Sequence, residues 1–489
     1  MFAVVRTLLF GGVSGKLLGI FREVVSAWLF GTGATAAAFR VANTAFTIPL
    51  QGFVSEAMNG GFTPRYALHR RDDPAGAALL FASMHAVVLC LSTLVGGVVF
   101  IWADWWIHVL APGLDASTQH IAVQMVRVMA LSMPAYLATG LYAAADLANG
   151  HGRLSATRSS VQNVGVLTGT VAAWAFDAPW LIAGGFVAAY VALAIWGVQV
   201  SLNNNVSLWP KRREYRAAWA RLIEVWVGFR LLLGIPIAWQ IHYIVERRVA
   251  SLLNPAAVVA IDYARFMADT AVILLAMPFG MAGLGTMAVM SASGFRETSA
   301  RSMRVLLYVG VPLSSILVGN AVGIVQIVFA RGAFGSESIA TTASILAGLG
   351  LGVWAQLIAY AGSKFLSARG ENRFVMMTTI AGVAVNVLIN LTLANHLGVA
   401  ILGLSTAANS IVVGLIIAKR VGILRELGPD IASLFVAAAL YIALSALLLH
   451  LGVRPWLGLA AAAPYWCLAM FATGRHRNAF TKIVETLRH

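Results

Sequence analysis

Cysteine is nearly absent from this chain: Cys90 and Cys467 are the two in 489 residues, and neither belongs to a CxxC or metal-ligand spacing. That excludes a disulfide-stapled scaffold and a cysteine-built metal centre, and both thiols read as packing residues. Charge is scarce as well. Asp, Glu, Lys and Arg make up 11% of the residues against 60% hydrophobic ones, and the mean hydropathy is +0.82. A water-facing surface needs many more polar side chains, so a soluble globular protein is excluded. Period-2 alternation is missing, which excludes a transmembrane β-barrel. There is no P-loop and no polar stretch long enough for a nucleotide-binding domain, so direct ATP drive is excluded too. No catalytic residue, metal ligand set or cofactor motif stands out.

What is present is a succession of apolar stretches of about 20 residues, the length a helix needs to cross the hydrocarbon core. They predict an all-α polytopic membrane protein with about fourteen transmembrane helices, near residues 4–30, 36–62, 76–103, 119–148, 156–175, 178–201, 219–251, 256–291, 303–330, 340–367, 374–395, 398–418, 429–451 and 455–473. The formal charge of +15 would suit nucleic acid. The basic residues, however, sit in short loops after even-numbered spans: Arg65, Arg70 and Arg71; Arg153; Lys211, Arg212 and Arg213; Arg296 and Arg301; Lys364, Arg369 and Arg373; Lys419, Arg420 and Arg425. Such loops orient a membrane protein during insertion, so nucleic acid is not a partner and membrane lipids are. With Arg475, Arg477, Lys482 and Arg488 after the last span, both termini are expected in the cytoplasm of a bacterial inner-membrane protein. The opening "MFAVVRTLLFGG" reads as an uncleaved first span.

The chain looks duplicated. "YAAADLANGHGR" (142–153) resembles "YAGSKFLSARGE" (360–371) at an offset of 218, each closing the fourth span of its half. Arg22 and Arg40 are 18 residues apart, as are Arg247 and Arg265, at an offset of 225. This predicts two pseudo-symmetric six-helix lobes, 1–205 and 219–420, joined by a cytoplasmic linker at 206–218 and followed by a C-terminal helix pair and basic tail at 421–489. Parallel repeats of this kind are related by an axis along the membrane normal, with a cavity at their interface.

Ionisable groups inside apolar spans mark function by default, because a lipid-facing Arg costs about 2.5 kcal/mol or more. In "GKLLGIFREV", Lys16 and Arg22 lie about 120° apart around one wide helix face, with Glu23 beside Arg22. His242 and Glu246 stand one turn apart ahead of Arg247 and Arg248, and Arg265 follows on the next span. Guanidinium groups converging on a cavity suit phosphate, which their planar donors bind in bidentate fashion. Glu23, Glu246 and Asp262 offset part of that charge and would hold Na⁺ or H⁺ in ion-coupled transport. Arg230 and Arg248, near span ends, read equally well as snorkelling side chains. Gly and Pro mark candidate hinges at "FGTG" (30–33), "TIPLQGF" (47–53), "GIP" (234–236) and "MPFGMAGLG" (277–285).

"GKLLGIFREVVSAWLFGTGATAAAFRVA" resembles the first two spans of the MurJ/MviN lipid-linked glycan flippases of the MOP superfamily, with their S-R-x-x-G-x-x-R-D, F-G-x-G and T-D-A-F-F-V-A pattern. "VERRVASLLNPAAVVAIDYARFM" (245–267) and "MPFGMAGLGTMAVMS" are similar to the seventh and eighth spans of that family. The resemblance implies a transporter, not an enzyme, that flips an undecaprenyl-diphosphate-linked glycan, foremost the peptidoglycan precursor lipid II, to the periplasmic leaflet by alternating access. It implies a substrate site at Lys16, Arg22, Glu23, Glu56 and Arg265, to which the spacing adds Arg40, Glu246 and Arg247, and a lipid-tail groove at the extra C-terminal pair. Two departures stand out: Ala37 replaces the acidic residue of T-D-A, and Gln51 and Gly52 replace a double Arg, with Arg40 as a substitute for the lost charge. Another polyprenyl-diphosphate oligosaccharide of the exopolysaccharide or O-antigen type is therefore an alternative substrate. A multidrug/cation antiporter and a transport-dead scaffold for envelope-assembly proteins are the further alternatives.

Overall fold

The computed structural model describes residues 2–51, 58, 61–203, 207–229, 234–282, 287 and 290–472. These residues are almost entirely helical, and they divide into two compact units, Met1–Pro255 and Ala256–His489.

In the first unit α1 (Phe2–Phe30), α2 (Ala34–Thr47), α3 (Thr63–Asp72), α4 (Pro74–Ile101), α5 (Ala103–Leu110), α6 (Ala116–Ala130), α7 (Met133–Ala148), α8 (Arg153–Ala175), α9 (Leu181–Asn203), α10 (Tyr215–Phe229) and α11 (Gly234–Leu253) follow in order. The second unit holds α12 (Ala257–Ala282), α13 (Ala292–Gly319), α14 (Ala321–Phe329), α15 (Ser336–Gly350), α16 (Val353–Ala368), α17 (Asn372–Leu397), α18 (Ala400–Val421), α19 (Leu424–His450) and α20 (Pro455–Ala472).

The expected spans fall on described helices or consecutive helix pairs, although α2 covers only residues 34–47 of the span expected at 36–62. By length and hydropathy alone, six of the described helices cross a membrane, or eight spans if each bent pair is one. The shortfall has a physical cause: α1, α11 and α12 carry arginines and carboxylates, and α8 carries two arginines, that lower their hydropathy, and internal partners hold several of these. Two helices were not expected. The basic loop at 63–72 is the helix α3, started by Pro64 in its first turn, and α5 is a short amphipathic helix before Asp115. Cys90 and Cys467 are exposed on outward faces, not packed inside, as Leu94 and Leu468 are on the same helices.

The internal repeat is visible in the geometry. α6 and α7 meet at a bend of 50°, and α15 and α16 at a bend of 51°. The bent pairs have the same lengths, 15 and 16 residues in each half. Packing repeats as well: α2 lies on α6, α4 on α7, and both α7 and α8 on α9, while α12 lies on α15, α13 on α16, and both α16 and α17 on α18. The turn after each bent pair carries a left-handed glycine, Gly152 (φ 68°) and Gly370 (φ 78°), at the 218 spacing of the sequence match.

Small residues allow the close approaches. Gly165 on α8 and Gly185 on α9 meet backbone to backbone, so that a Cβ on Gly165 would fall 2.5 Å from the Gly185 carbonyl oxygen. The segment after α9 is docked: the Leu208 carbonyl accepts from His85 Nδ1 at 2.9 Å and the Trp209 ring stands edge-on to His85 at 5.7 Å. In the second unit the C-terminal pair is fixed to α13 and α14 by hydrogen bonds from Trp466 Nε1 to Ser315 Oγ (3.1 Å) and from Asn320 Nδ2 to Tyr441 Oη (2.7 Å).

Candidate substrate site

α1 ends at Phe30, and the chain reverses through "GTG", where Gly31 takes φ 57°, before α2 begins at Ala34. This reversal brings Arg40, seven residues into α2, opposite Arg22 and Glu23, two turns back on α1. Glu23 is buried at 3% exposure. One of its carboxylate oxygens accepts from Arg22 Nη2 and from Arg40 Nη1 (3.2 Å), and the other from Arg40 Nη2. Arg40 thus clamps the carboxylate in bidentate fashion, and two guanidinium groups share one negative charge.

A third arginine joins the same polar chain. Arg247 on α11 is 6% exposed and donates from Nε to Thr44 Oγ1 at 3.0 Å. Thr44 stands one turn beyond Arg40 and donates in turn to the Arg40 carbonyl at 2.8 Å. On α11, Glu246 and His242 are also buried, with His242 Nε2 3.7 Å from Glu246 Oε1. Arg22, Arg40 and Arg247 therefore lie along one buried polar seam of the first unit, with Glu23 and Glu246 as internal counter-charges.

The remaining expected residues fall as follows. Lys16 is half-buried on α1, six residues before Arg22. Arg265 and Asp262 are half-buried on α12, in the second unit. Glu56 lies outside the described residues, as do Gly52 and Arg230. Arg248 is exposed and donates to the Val109 carbonyl at 3.0 Å. Ala37, at the position of the missing acid, is 1% exposed in the packing of α2. Of the candidate hinges, "FGTG" is a tight turn, "GIP" opens α11, and α12 continues through Pro278 as far as Ala282. Among the described residues no group of three His, Cys, Asp or Glu side chains is placed to hold a metal ion.

Two polar features escaped the sequence reading. One is Thr44, the hydroxyl that joins Arg247 to α2. The other is Arg158 on α8, with its guanidinium carbon 4.9 Å from the Tyr136 ring centre and 5.6 Å from that of Tyr190. An arginine at the third position of the expected span 156–175 was the available signal.

A family model for the lipid II flippase MurJ matches residues 26–475. The chain belongs to that family. Relatives include a probable lipid II flippase MurJ of Synechocystis sp., 27% identical over 69% of this chain and 66% of its own length, and one of Thermotoga maritima, 23% identical over 84% of both. The chain thus spans just under two thirds of the length of the Synechocystis relative. A solved lipid II flippase MurJ in an inward closed conformation shares the fold, with TM-score 0.81, 14% identity and 99% coverage of both chains. An inward-facing multidrug MATE transporter of the MOP superfamily follows at TM-score 0.67 and 13% identity, over 84% of this chain and 96% of its own. Family membership and the apolar helices long enough to cross a membrane make this chain a multi-pass membrane protein.

Proposed function

We propose that the chain moves lipid II, an undecaprenyl-diphosphate-linked glycan, from the cytoplasmic to the periplasmic leaflet, and that Arg22, Arg40 and Arg247 hold its diphosphate. The observation that carries this reading is the buried carboxylate of Glu23 between two guanidinium groups. The triad is a net cation in a segment that otherwise faces hydrocarbon, and its donors already grip an anion. A diphosphate brings more negative charge and more acceptor oxygens than one carboxylate, so it competes with Glu23 for the same planar donors. The arrangement then alternates between self-neutralised when empty and substrate-neutralised when loaded, which avoids leaving bare buried charge in either state.

Lys16, Glu56, Glu246 and Arg265 complete the site in this reading. Access alternates between the two sides of the membrane, the sugar crosses through a hydrated path, and the lipid tail stays in hydrocarbon along the C-terminal helix pair. Both termini lie in the cytoplasm, in keeping with the basic loops after even-numbered spans. The membrane potential, worth about 2.3 kcal/mol per charge per 100 mV, supplies drive, with Na⁺ or H⁺ exchanged at Glu23, Glu246 or Asp262.

The test is translocation of labelled lipid II in proteoliposomes. Wild type is expected to move it, and Arg22→Ala to slow it by at least ~10-fold through loss of a charge-assisted contact. Equal rates would remove Arg22 from the site. The replacement of a double Arg by Gln51 and Gly52 keeps a related polyprenyl-diphosphate oligosaccharide as a second reading, separated by assaying that lipid in parallel.

A further inference from the structure

Arg158 faces a cavity of about 320 Å³ inside the first unit, lined also by Tyr136, Tyr190, Gln162, Ser159 and Gln51. Its floor is aromatic and fixed. Tyr190 is 1% exposed, lies 4.7 Å from Tyr136 between ring centres, and donates its hydroxyl to Gln162 Oε1 at 2.8 Å. Phe46 and Phe186 back the two tyrosines at 5.1 and 4.8 Å. Its rim is open, because Gln51 and Ser159 are exposed. No carboxylate pairs with Arg158 among the described residues; its neighbours are ring faces and neutral hydrogen-bonding groups. Arg22 and Arg40 of this unit, by contrast, have Glu23 as a counter-ion. Arg158 has a cavity in that place.

The chemistry of the lining is specific. One guanidinium offers charge for a single carboxylate rather than for a diphosphate, which the family of contacts around Glu23 suits better. Hydroxyls and amides beside aromatic faces suit a sugar-sized, hydroxyl-rich group, and the volume falls in the range of small-molecule pockets.

The position fits a second contact on one substrate. α8 runs parallel to α1, with Gly11 against Ala156, Gly15 against Ser159, and Asn163 Nδ2 donating to the Gly15 carbonyl at 2.9 Å. Arg158 is therefore level with Gly15, and seven residues at ~1.5 Å each put the Arg22 backbone roughly 10 Å further along the axis. We propose that this pocket binds a carboxylate-bearing, sugar-sized part of the lipid-linked headgroup, with Arg158 as its counter-ion, while Arg22 and Arg40 hold the diphosphate. The assignment rests on the flippase reading given above, and it adds that the substrate carries a free carboxylate beyond its phosphates.

The experiment has two arms on the full chain. In the first, the purified protein is titrated with glucuronate and with glucose. Saturable binding of glucuronate, tighter than that of glucose and weakened ~10-fold or more by Arg158→Gln but not by Arg158→Lys, is expected from loss of a charge-assisted contact. No binding, or binding unchanged in Arg158→Gln, overturns the proposal without reference to transport. In the second arm, proteoliposomes receive an undecaprenyl-diphosphate glycan with free carboxylates or the same lipid with its carboxylates amidated. The wild type is expected to favour the acidic lipid, the rate ratio collapsing toward one in Arg158→Gln and surviving in Arg153→Gln, an exposed arginine on the same helix. A ratio of one in the wild type, with glucuronate still bound, assigns the pocket to a free anion and overturns the substrate contact. A wild type that moves neither lipid refutes the flippase reading and the substrate contact together, whereas a ratio of one with both lipids moved refutes the contact alone.

Discussion

Exchanging Glu23 and Arg40 for glutamine, separately and together, isolates the central feature of the site. The two side chains are 4% and 11% exposed, and Arg40 engages both carboxylate oxygens. Two unit charges at about 4 Å interact by about 4 kcal/mol at an effective dielectric constant of about 20, before desolvation is subtracted. Arg40→Gln leaves Glu23 with Arg22 as a partner, so its cost is expected at about 1–3 kcal/mol. Glu23→Gln leaves two guanidinium groups facing one neutral amide and should cost about 3–5 kcal/mol. The double variant removes the carboxylate and one of the two cations it neutralised, so it should fall short of the summed costs by about 2 kcal/mol. Equilibrium unfolding in mixed micelles measures all three values. A coupling within about 0.5 kcal/mol of zero would refute the claim that these groups share a buried charge. The same variants separate stability from function. Glu23→Gln removes a competitor from Arg22 and Arg40, so it should bind inorganic pyrophosphate ~10-fold more tightly even as it unfolds more easily, whereas a site in which Glu23 only supports the fold would show no gain.

Two further outcomes follow from the geometry. Thr44→Val withdraws the hydroxyl that accepts from Arg247 Nε at 3.0 Å and should cost about 1–3 kcal/mol with weaker pyrophosphate binding, while Thr44→Ser restores both; equal unfolding of the two variants would dismiss the contact. Asp115 caps α6, accepting from the Thr118 backbone N–H at 3.1 Å and from the Ser117 and Thr118 hydroxyls at 2.5 and 2.6 Å, which hold its carboxyl well below the usual carboxylate range. A lowered folded-state pKa stabilises above the unfolded value and is lost as pH falls, so Asp115→Ala should cost about 1 kcal/mol at neutral pH and progressively less in acid below the carboxylate range; a difference that does not shrink in acid would refute the capping role.

Much of this was legible in one dimension. Hydropathy runs marked where the long apolar helices lie, because a helix in hydrocarbon must satisfy its own backbone and so needs about 20 apolar residues in succession. The placing of Arg22 and Arg40 in the first two spans was legible too, whereas their sharing of Glu23 across the glycine turn was not. The bends at Ser132 and Leu351 that match the two halves were not, as the sequence shows one apolar run through each. Arg247 reaching Thr44 joins residues 203 apart in the chain, and no local period encodes that contact. Arg158 went unnoticed for a related reason: its surroundings are Tyr136 and Tyr190, uncharged residues on two other helices, so nothing near it in sequence marks a cavity. Composition and periodicity thus determined which segments lie in the membrane and that cations lie among them. Which guanidinium is neutralised by a carboxylate and which one faces open space was decided only by tertiary packing, because charge compensation depends on distance in space rather than along the chain.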